Sequence, residues 1–451
     1  MRPMNKEKKL LVFSVDAMVC EDLALLREKP NFRKYLAGGC EVTGGMKGIY
    51  PSVTYPAHVS MVTGCYPASH KVTSNFSFTT TGKDQNWLWF SDAYRTEDLF
   101  AAAKKAGYTT GAISWPCSAR NPNIDWLMAE YWMPNPGDTL TGSFRDAGSS
   151  EEMLEIIESC REFLPEGYEK GGKKNFMQWP QIDRFNIRVA CEVIEKHAPD
   201  VMFVHVGLFD AARHAHGCFG EHIAAAVKEL DGYIGQLGEA CGRAGYGEAL
   251  DFVLVSDHGQ MDIRRSINLN VLLADGGFLQ TDERGRVTSW KAYSFSNAMS
   301  SLVYVADPAD DKLCREVYHY LCHLCKEGIY GIGRVFTRRE AAFLEHLDGE
   351  FCFVLESDGY TSFGDGAVRP LVHNFDCSDY RFGKATHGYL PEKGPQPVFV
   401  AKGPDFIPNR TQKRGRLIDE APTFAAILGV GLPEADGRAM TGLLRKEEKE
   451  I

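Results

Sequence analysis

Several short apolar runs in this chain stop abruptly at an Asp or a His. LLVFSV (10–15) ends at Asp16, VMFVHV (201–206) passes Gly207 to reach Asp210, and DFVLVS (251–256) ends at Asp257-His258. Runs that are apolar without alternation fit strands buried on both faces of a parallel sheet. YTTGAIS (108–114) and PVFVAKG (397–403) read the same way. Between them lie helical patterns. IDRFNIRVACEVIEKHA (182–198) precedes a strand, and 222–240 places Ile223, Val227, Leu230, Ile234 and Leu237 on one face. Strands alternating with helices predict an α/β fold, with a mainly parallel central sheet flanked by helices. Ligands bind at the carboxyl ends of such strands.

Length and composition set limits on this picture. The 451 residues, 44% hydrophobic and 24% charged, fit one large globular α/β domain spanning 1–451 with insertions. Two spans differ in texture from the rest. Residues 116–180 are rich in Trp, Pro, Gly and Asn, and 280–385 mixes short strands, aromatics and a Cys-containing helix (314–326). Both are expected to be insertions forming a smaller cap over the sheet's edge. With Lys plus Arg at 50 and Asp plus Glu at 60, the net charge of −10 argues against a binder of nucleic-acid polymers. It leaves room for a local positive site made by bound metal. The tail KEEKE (446–450) reads as a solvated end.

The 13 cysteines are an odd number and mostly scattered, which fits free thiols in a reducing compartment. Cys322 and Cys325 form one C-x-x-C without a second pair, and read as two thiols on a helix face. The apolar run 10–15 contains Ser14 and meets Asp16, too short for a secretory h-region of about 7–15 apolar residues. No apolar stretch approaches the roughly 18 residues of a membrane span. A cytoplasmic protein with no membrane partner is expected.

Each chemistry-bearing motif has an ordinary reading beside the functional one. Asp16 could be a turn or capping residue. Thr54, before Tyr55-Pro56, could cap a helix starting near Pro56, or could sit as a nucleophile where helix N–H groups favour an anion. Asp210 and His214, four apart in LFDAARHAHG, could be a surface ion pair or two metal ligands on one face. His205 and His216 read as packing groups or supports. Asp257-His258 could be a turn, and His387 in KATHGYLP carries nothing alone. Together, three carboxylates, three imidazoles and one hydroxyl can hold two divalent cations about 4 Å apart, a pair that clamps the attacking and leaving oxygens of phosphoryl transfer.

The order of these motifs resembles the alkaline phosphatase superfamily. The branch it is most similar to is that of the nucleotide pyrophosphatase/phosphodiesterases, with phosphonoacetate hydrolase nearby. The resemblance runs from VFSVDAM through TYPAHVSMVTGCYPASH, the Asp-x-x-x-His, SDHGQM and THGYLP to IDEAPTFAAILGVGLP (418–433), which matches the family's closing helix. It implies an alkaline phosphatase-like core and two divalent metal ions, zinc foremost. Asp16, Thr54, Asp257 and His258 would hold one, and Asp210, His214 and His387 the other. Thr54 would be the nucleophile. Asn75 would hydrogen-bond a phosphoryl oxygen, with the Tyr55 N–H as a second donor. The Tyr55 ring would stack on the substrate, and Trp115-Pro116 would line the same pocket.

The resemblance implies hydrolysis of a small-molecule phosphodiester or nucleotide. Phosphonate hydrolysis and phosphomonoesterase activity are alternatives, as is a non-catalytic metal-binding protein of the same fold. Ala17 stands where the family usually has Gly, and Tyr-Pro-Ala-His where it often has Phe-Pro-Asn-His. No Arg accompanies Thr54 as in the superfamily's monoesterases. Cys65-Tyr66-Pro67-Ala68-Ser69 lacks the Arg of a sulfatase motif.

Overall fold

A computed structural model describes residues 8–80, 86–131, 137–168 and 180–445. The charged tail 446–450 lies outside them. The central sheet has eight strands: β1 (Lys9–Val15), β2 (Cys40–Val42), β3 (Thr110–Ile113), β4 (Trp126–Met128), β5 (Val201–Val206), β6 (Leu250–Val255), β7 (Phe399–Lys402) and β8 (Thr411–Gln412), in the order β8-β2-β7-β6-β1-β5-β3-β4. β6, β1, β5, β3 and β4 are parallel. β7 departs from the parallel expectation, running antiparallel to both β6 and β2.

The unbroken apolar runs are explained by two cores. Leu11, Phe13 and Val15 of β1 enter one, and Leu10 and Val12 enter the other. Seven helices matter here: α1 (Thr54–Thr63), α2 (Glu151–Ser159), α3 (Gln181–His197), α4 (Leu208–His216), α5 (Glu221–Arg243), α6 (Asp311–Glu327) and α7 (Glu420–Leu428). Helices α2, α3 and α5 cover one face of the sheet, burying residues such as Ile156, Ile187 and Val227. Helices α1 and α7 cover the opposite face through Ala57, Met61 and Phe424. With both faces covered, the middle strands are apolar at most positions, Ser14 and His205 being buried exceptions.

The described residues of 116–180 join the central domain and not a cap. Within this span, β4 forms the edge of the central sheet, pairing in parallel with β3. Helix α2 joins the same core as α3 through Met153, Leu154, Ile156 and Ile157. Its loop-like composition conceals a three-residue strand and an amphipathic helix.

The span 280–385 does build a separate layer. Ala292–Ser296, Ser300–Val305, Phe353–Ser357 and Ile332–Thr337 form a four-stranded antiparallel sheet. Helix α6 packs on this layer's own core through Val317, Leu321 and Leu324. Cys322 and Cys325 both lie on α6 as free, half-buried thiols.

Candidate metal centre and phosphoryl site

The expected site residues arrive from separate strand ends. Asp16 directly follows β1, Asp257-His258 stand just past β6, and β5 leads through Gly207 into α4 with Asp210 and His214. Because β1, β5 and β6 are parallel neighbours, their carboxyl ends converge. Two groups result, with ligand atoms within 4.8 Å of one another: Asp16, Asp257 and His258, and Asp210, His258 and His387. His258 serves both, its Nε2 3.4 Å from Asp16 and 3.2 Å from Asp257. His214 Nε2 stands 3.1 Å from Asp210 Oδ2, across one turn of α4.

The supports behind these residues fix which atoms face the centre. His214 Nδ1 lies 2.7 Å from the Ala385 carbonyl and His258 Nδ1 3.2 Å from that of Gly259. An Nδ1–H donated outward leaves the Nε2 lone pair for a metal. The Gln260 side-chain N–H donates to Asp210 Oδ1 at 2.5 Å. Arg213, buried on α4, donates to the Ala17 carbonyl at 3.1 Å and to Asp22 at 2.5 Å, pinning the turn that carries Asp16. His387 is held between two layers: its carbonyl accepts from the Met299 N–H, and the next N–H, of Gly388, donates to Ser52. Gly388 has φ +92°, and a Cβ there would stand 1.8 Å from the Asn297 carbonyl oxygen, so only glycine fits.

Thr54 is not the cap of α1. Val53 occupies the N-cap position without a side-chain hydrogen bond, and Thr54 is the first helical residue. Its Oγ1 turns instead to His258 Nε2, 3.2 Å away. The Tyr55 N–H, implied as a substrate donor, donates here to Asn75 Oδ1 at 2.9 Å. The Tyr55 ring lines the cavity with Asn75, and Trp87 and Tyr380 are the further aromatics of its wall. Trp115 lies elsewhere. It is 1% exposed and packs edge-on against His58 and Phe203, inside the core.

Three residues support the site: His205, expected as a packing group or support, and His58 and Gln260, which the sequence left without a role. His58 is fully buried, with Nδ1 2.9 Å from the Thr54 carbonyl and 3.5 Å from Asp257, and Nε2 2.9 Å from Ser14. His205 approaches Asp16 at 3.6 Å and lines the cavity. Gln260 follows Asp257-His258 by two positions.

The electrostatics call for cations. Burial, then repulsion from Asp257, Asp210 and Glu130, raises the Asp16 carboxyl well above its usual range. Burial pushes Asp257 up to about 6, and lowers His258 to about 4 and His387 well below its usual value. The His258 and His387 imidazoles are thereby favoured in the neutral form that a ligand requires. Asp16 Oδ1, Asp257 Oδ2 and His214 Nε2 are buried without hydrogen-bond partners. No Lys or Arg lines the cavity among the described residues. A set of orphaned oxygen and nitrogen donors, with no Cys, fits divalent metal of the zinc type.

Rat ectonucleotide pyrophosphatase/phosphodiesterase family member 1 is 24% identical over 244 residues, which are 52% of this chain and 22% of that protein. The chain thus spans about a fifth of that relative's length. The Xenopus laevis bis(5'-adenosyl)-triphosphatase enpp4 is 22% identical over 433 residues, 94% of this chain and 78% of the relative. Among solved structures, murine ectonucleotide pyrophosphatase/phosphodiesterase 5 superposes with a TM-score of 0.66 at 17% identity, covering 97% of this chain and 100% of that one. It shares the alkaline phosphatase-like fold. The family model for type I phosphodiesterase / nucleotide pyrophosphatase matches residues 10–345, a stretch that carries every expected ligand except His387. The chain belongs to the type I phosphodiesterase / nucleotide pyrophosphatase family.

Proposed function

We propose that the protein is a metal-dependent hydrolase of phosphodiester or phosphoanhydride bonds, with Thr54 as its nucleophile. The observation that carries this reading is the Thr54 hydroxyl, unused by its own helix and turned to His258 within a ring of acidic and imidazole groups. Asp16, Thr54, Asp257 and His258 would hold one divalent ion, and Asp210, His214 and His387 a second. Such ions, zinc foremost, supply charge stabilisation for the attacking and leaving oxygens.

The chain's own residues do the rest. Thr54 Oγ1 gives up its proton to water and attacks phosphorus in line. The Oγ1–P bond forms as the bond to the leaving oxygen breaks, and that oxygen departs with the bonding pair and gains a proton from water. Water then cleaves the phospho-threonine and restores the hydroxyl. Asn75, held by the Tyr55 N–H through its oxygen, offers its NH2 to a non-bridging phosphoryl oxygen. The N-terminus of α1 favours the anionic group. Tyr55, Trp87 and Tyr380 receive the organic part of the substrate.

The names of the relatives support a nucleotide or other small phosphodiester as substrate, and an inactive form of the murine neighbour is described in complex with AMP. The thirteen free thiols support a reducing compartment, the cytoplasm, which fractionation of the source cells tests.

A substrate panel tests the activity: a nitrophenyl phosphodiester, its monoester, a nucleotide and phosphonoacetate, each with zinc added. The diester should exceed the monoester, because among the described residues no Lys or Arg lines the cavity to meet the extra phosphoryl charge. Metal analysis of protein purified without chelator should approach two equivalents. One equivalent or none would remove the two-ion reading, and a faster monoester would overturn the substrate order. Preferred cleavage of phosphonoacetate would make the protein a phosphonate hydrolase. Two bound ions with no turnover of any substrate would leave a non-catalytic metal-binding protein.

A further inference from the structure

The cavity beside Thr54 has an acidic group that the reaction above does not use. Glu130 stands two residues past β4, 6% exposed, and lines the cavity with Tyr55, Trp87 and Tyr380. Its Oε2 is buried without a hydrogen-bond partner. The groups acting on it are the neighbouring Tyr55 hydroxyl and, through charge, Asp257 and Asp210. No Lys or Arg is among them. Burial pushes this carboxyl up to about 8.

A structural acid at such a depth normally has a donor or counter-ion in the protein. Among the described residues Glu130 has no counter-ion and its Oε2 no hydrogen-bond partner, so its position is costly for folding alone. The surroundings specify what would satisfy it. Oε2 lacks an N–H or O–H donor. The rings of Tyr55 and Trp87, 5.4 Å apart and tilted by 44°, attract positive charge through their faces. An alkyl group would leave Oε2 unpaired, and an anionic group carries no hydrogen to donate to it. A protonated primary amine supplies both the donor and the charge.

We propose that Glu130, Tyr55 and Trp87 form a subsite for a primary ammonium group on the ester arm of a phosphodiester substrate. The assignment rests on the hydrolytic reading above and narrows its substrate class.

Two diesters that differ only at one tip test it: 4-nitrophenyl 2-aminoethyl phosphate and 4-nitrophenyl propyl phosphate. In the wild-type protein kcat/KM should favour the amine by at least about tenfold. Glu130→Gln should bring the ratio close to one, and Glu130→Asp should restore part of it, an outcome that general loss of structure would not give. Equal kcat/KM in the wild type, or a ratio unchanged in Glu130→Gln, would overturn the proposal. If neither diester is cleaved, the hydrolytic reading fails and the subsite is read by binding. Quenching of Trp fluorescence by 2-aminoethyl phosphate and by propyl phosphate is then compared in zinc-supplemented protein. Tighter binding of the amine, lost in Glu130→Gln, upholds the subsite, and equal binding removes it.

Discussion

The amide N–H of Tyr55 donates to the side-chain oxygen of Asn75 over 2.9 Å. This bond uses one of the free amides in the first turn of α1 and decides which end of Asn75 remains for a ligand. With the oxygen engaged, only the NH2 is left to meet a phosphoryl group. Asn75→Ala should lower kcat/KM by about a hundred- to a thousandfold, the scale of a lost oxyanion donor. Asn75→Asp keeps the acceptor for Tyr55, so its melting temperature should stay near that of the wild type. Its activity should fall at least as far, because a negative charge replaces the donor. An Asp variant within a few-fold of wild type in a steady-state assay would take Asn75 out of the phosphoryl site.

Thr54 can be separated from any capping role by comparing stability with turnover. A lost N-cap costs about 1 kcal/mol. Since Val53 holds that position, Thr54→Ala should leave the denaturation midpoint almost unchanged. Turnover should fall by at least about a hundredfold. Thr54→Ser keeps a hydroxyl and should retain much more activity. Turnover of Thr54→Ala within a few-fold of wild type would end the nucleophile assignment.

Ala17 adopts φ 56°, in the left-handed region, and is fully buried. Its N–H donates to Asp257 Oδ1 at 3.1 Å, tying the turn after β1 to the neighbouring strand end. The family's usual Gly suits this backbone, and Ala is the smallest side chain that tolerates it. A β-branched residue adds a steric clash and overpacks the site. Ala17→Val should cost at least about 2 kcal/mol in urea denaturation, and should weaken zinc retention by shifting Asp16.

Glu356 gives a pH signature away from the metal centre. It is fully buried, 2.8 Å from Lys393 and 3.1 Å from the Leu390 N–H. Burial raises it to about 7, with Lys393 only partly opposing. The folded state therefore holds a proton that the unfolded chain releases between about pH 4.5 and 7. This group's contribution to stability falls as pH rises through that window and then levels off. Glu356→Gln mimics the protonated form. At pH 5 the variant should match the wild type, and at pH 8 it should be more stable by up to about 3 kcal/mol. Denaturant melts at the two pH values measure the difference, and a variant less stable at pH 8 than at pH 5, relative to wild type, would contradict it.

The candidate metal-centre residues other than His387 were legible because each is tied to a local pattern. An apolar strand that ends in Asp, or an Asp and His one helical turn apart, shows its geometry in the sequence itself. His58, His205 and Gln260 show no such pattern. Their roles come from strand order, which sets β5 beside β1 and brings His205 to Asp16. Trp115 failed as a pocket residue for a related reason. Local wording placed it after β3, but the side chain turns into the core against Phe203, and Trp87 supplies the aromatic wall. The span 116–180 was misread because β4 has only three residues, too few to show a period.

His387 is gripped on one side by Met299 of the second sheet's layer and on the other by the strand-end loop at Ser52. It also lies far along the chain from Asp16. Loop closure over such a span is slow relative to helix and strand formation. Turnover should thus be the last property to return when the protein refolds, trailing circular dichroism and Trp fluorescence. On heating it should be the first to go, since slippage between the two layers is enough to withdraw one imidazole while both cores stay intact. The protein carries within its candidate site a gauge of whether its two layers are in register.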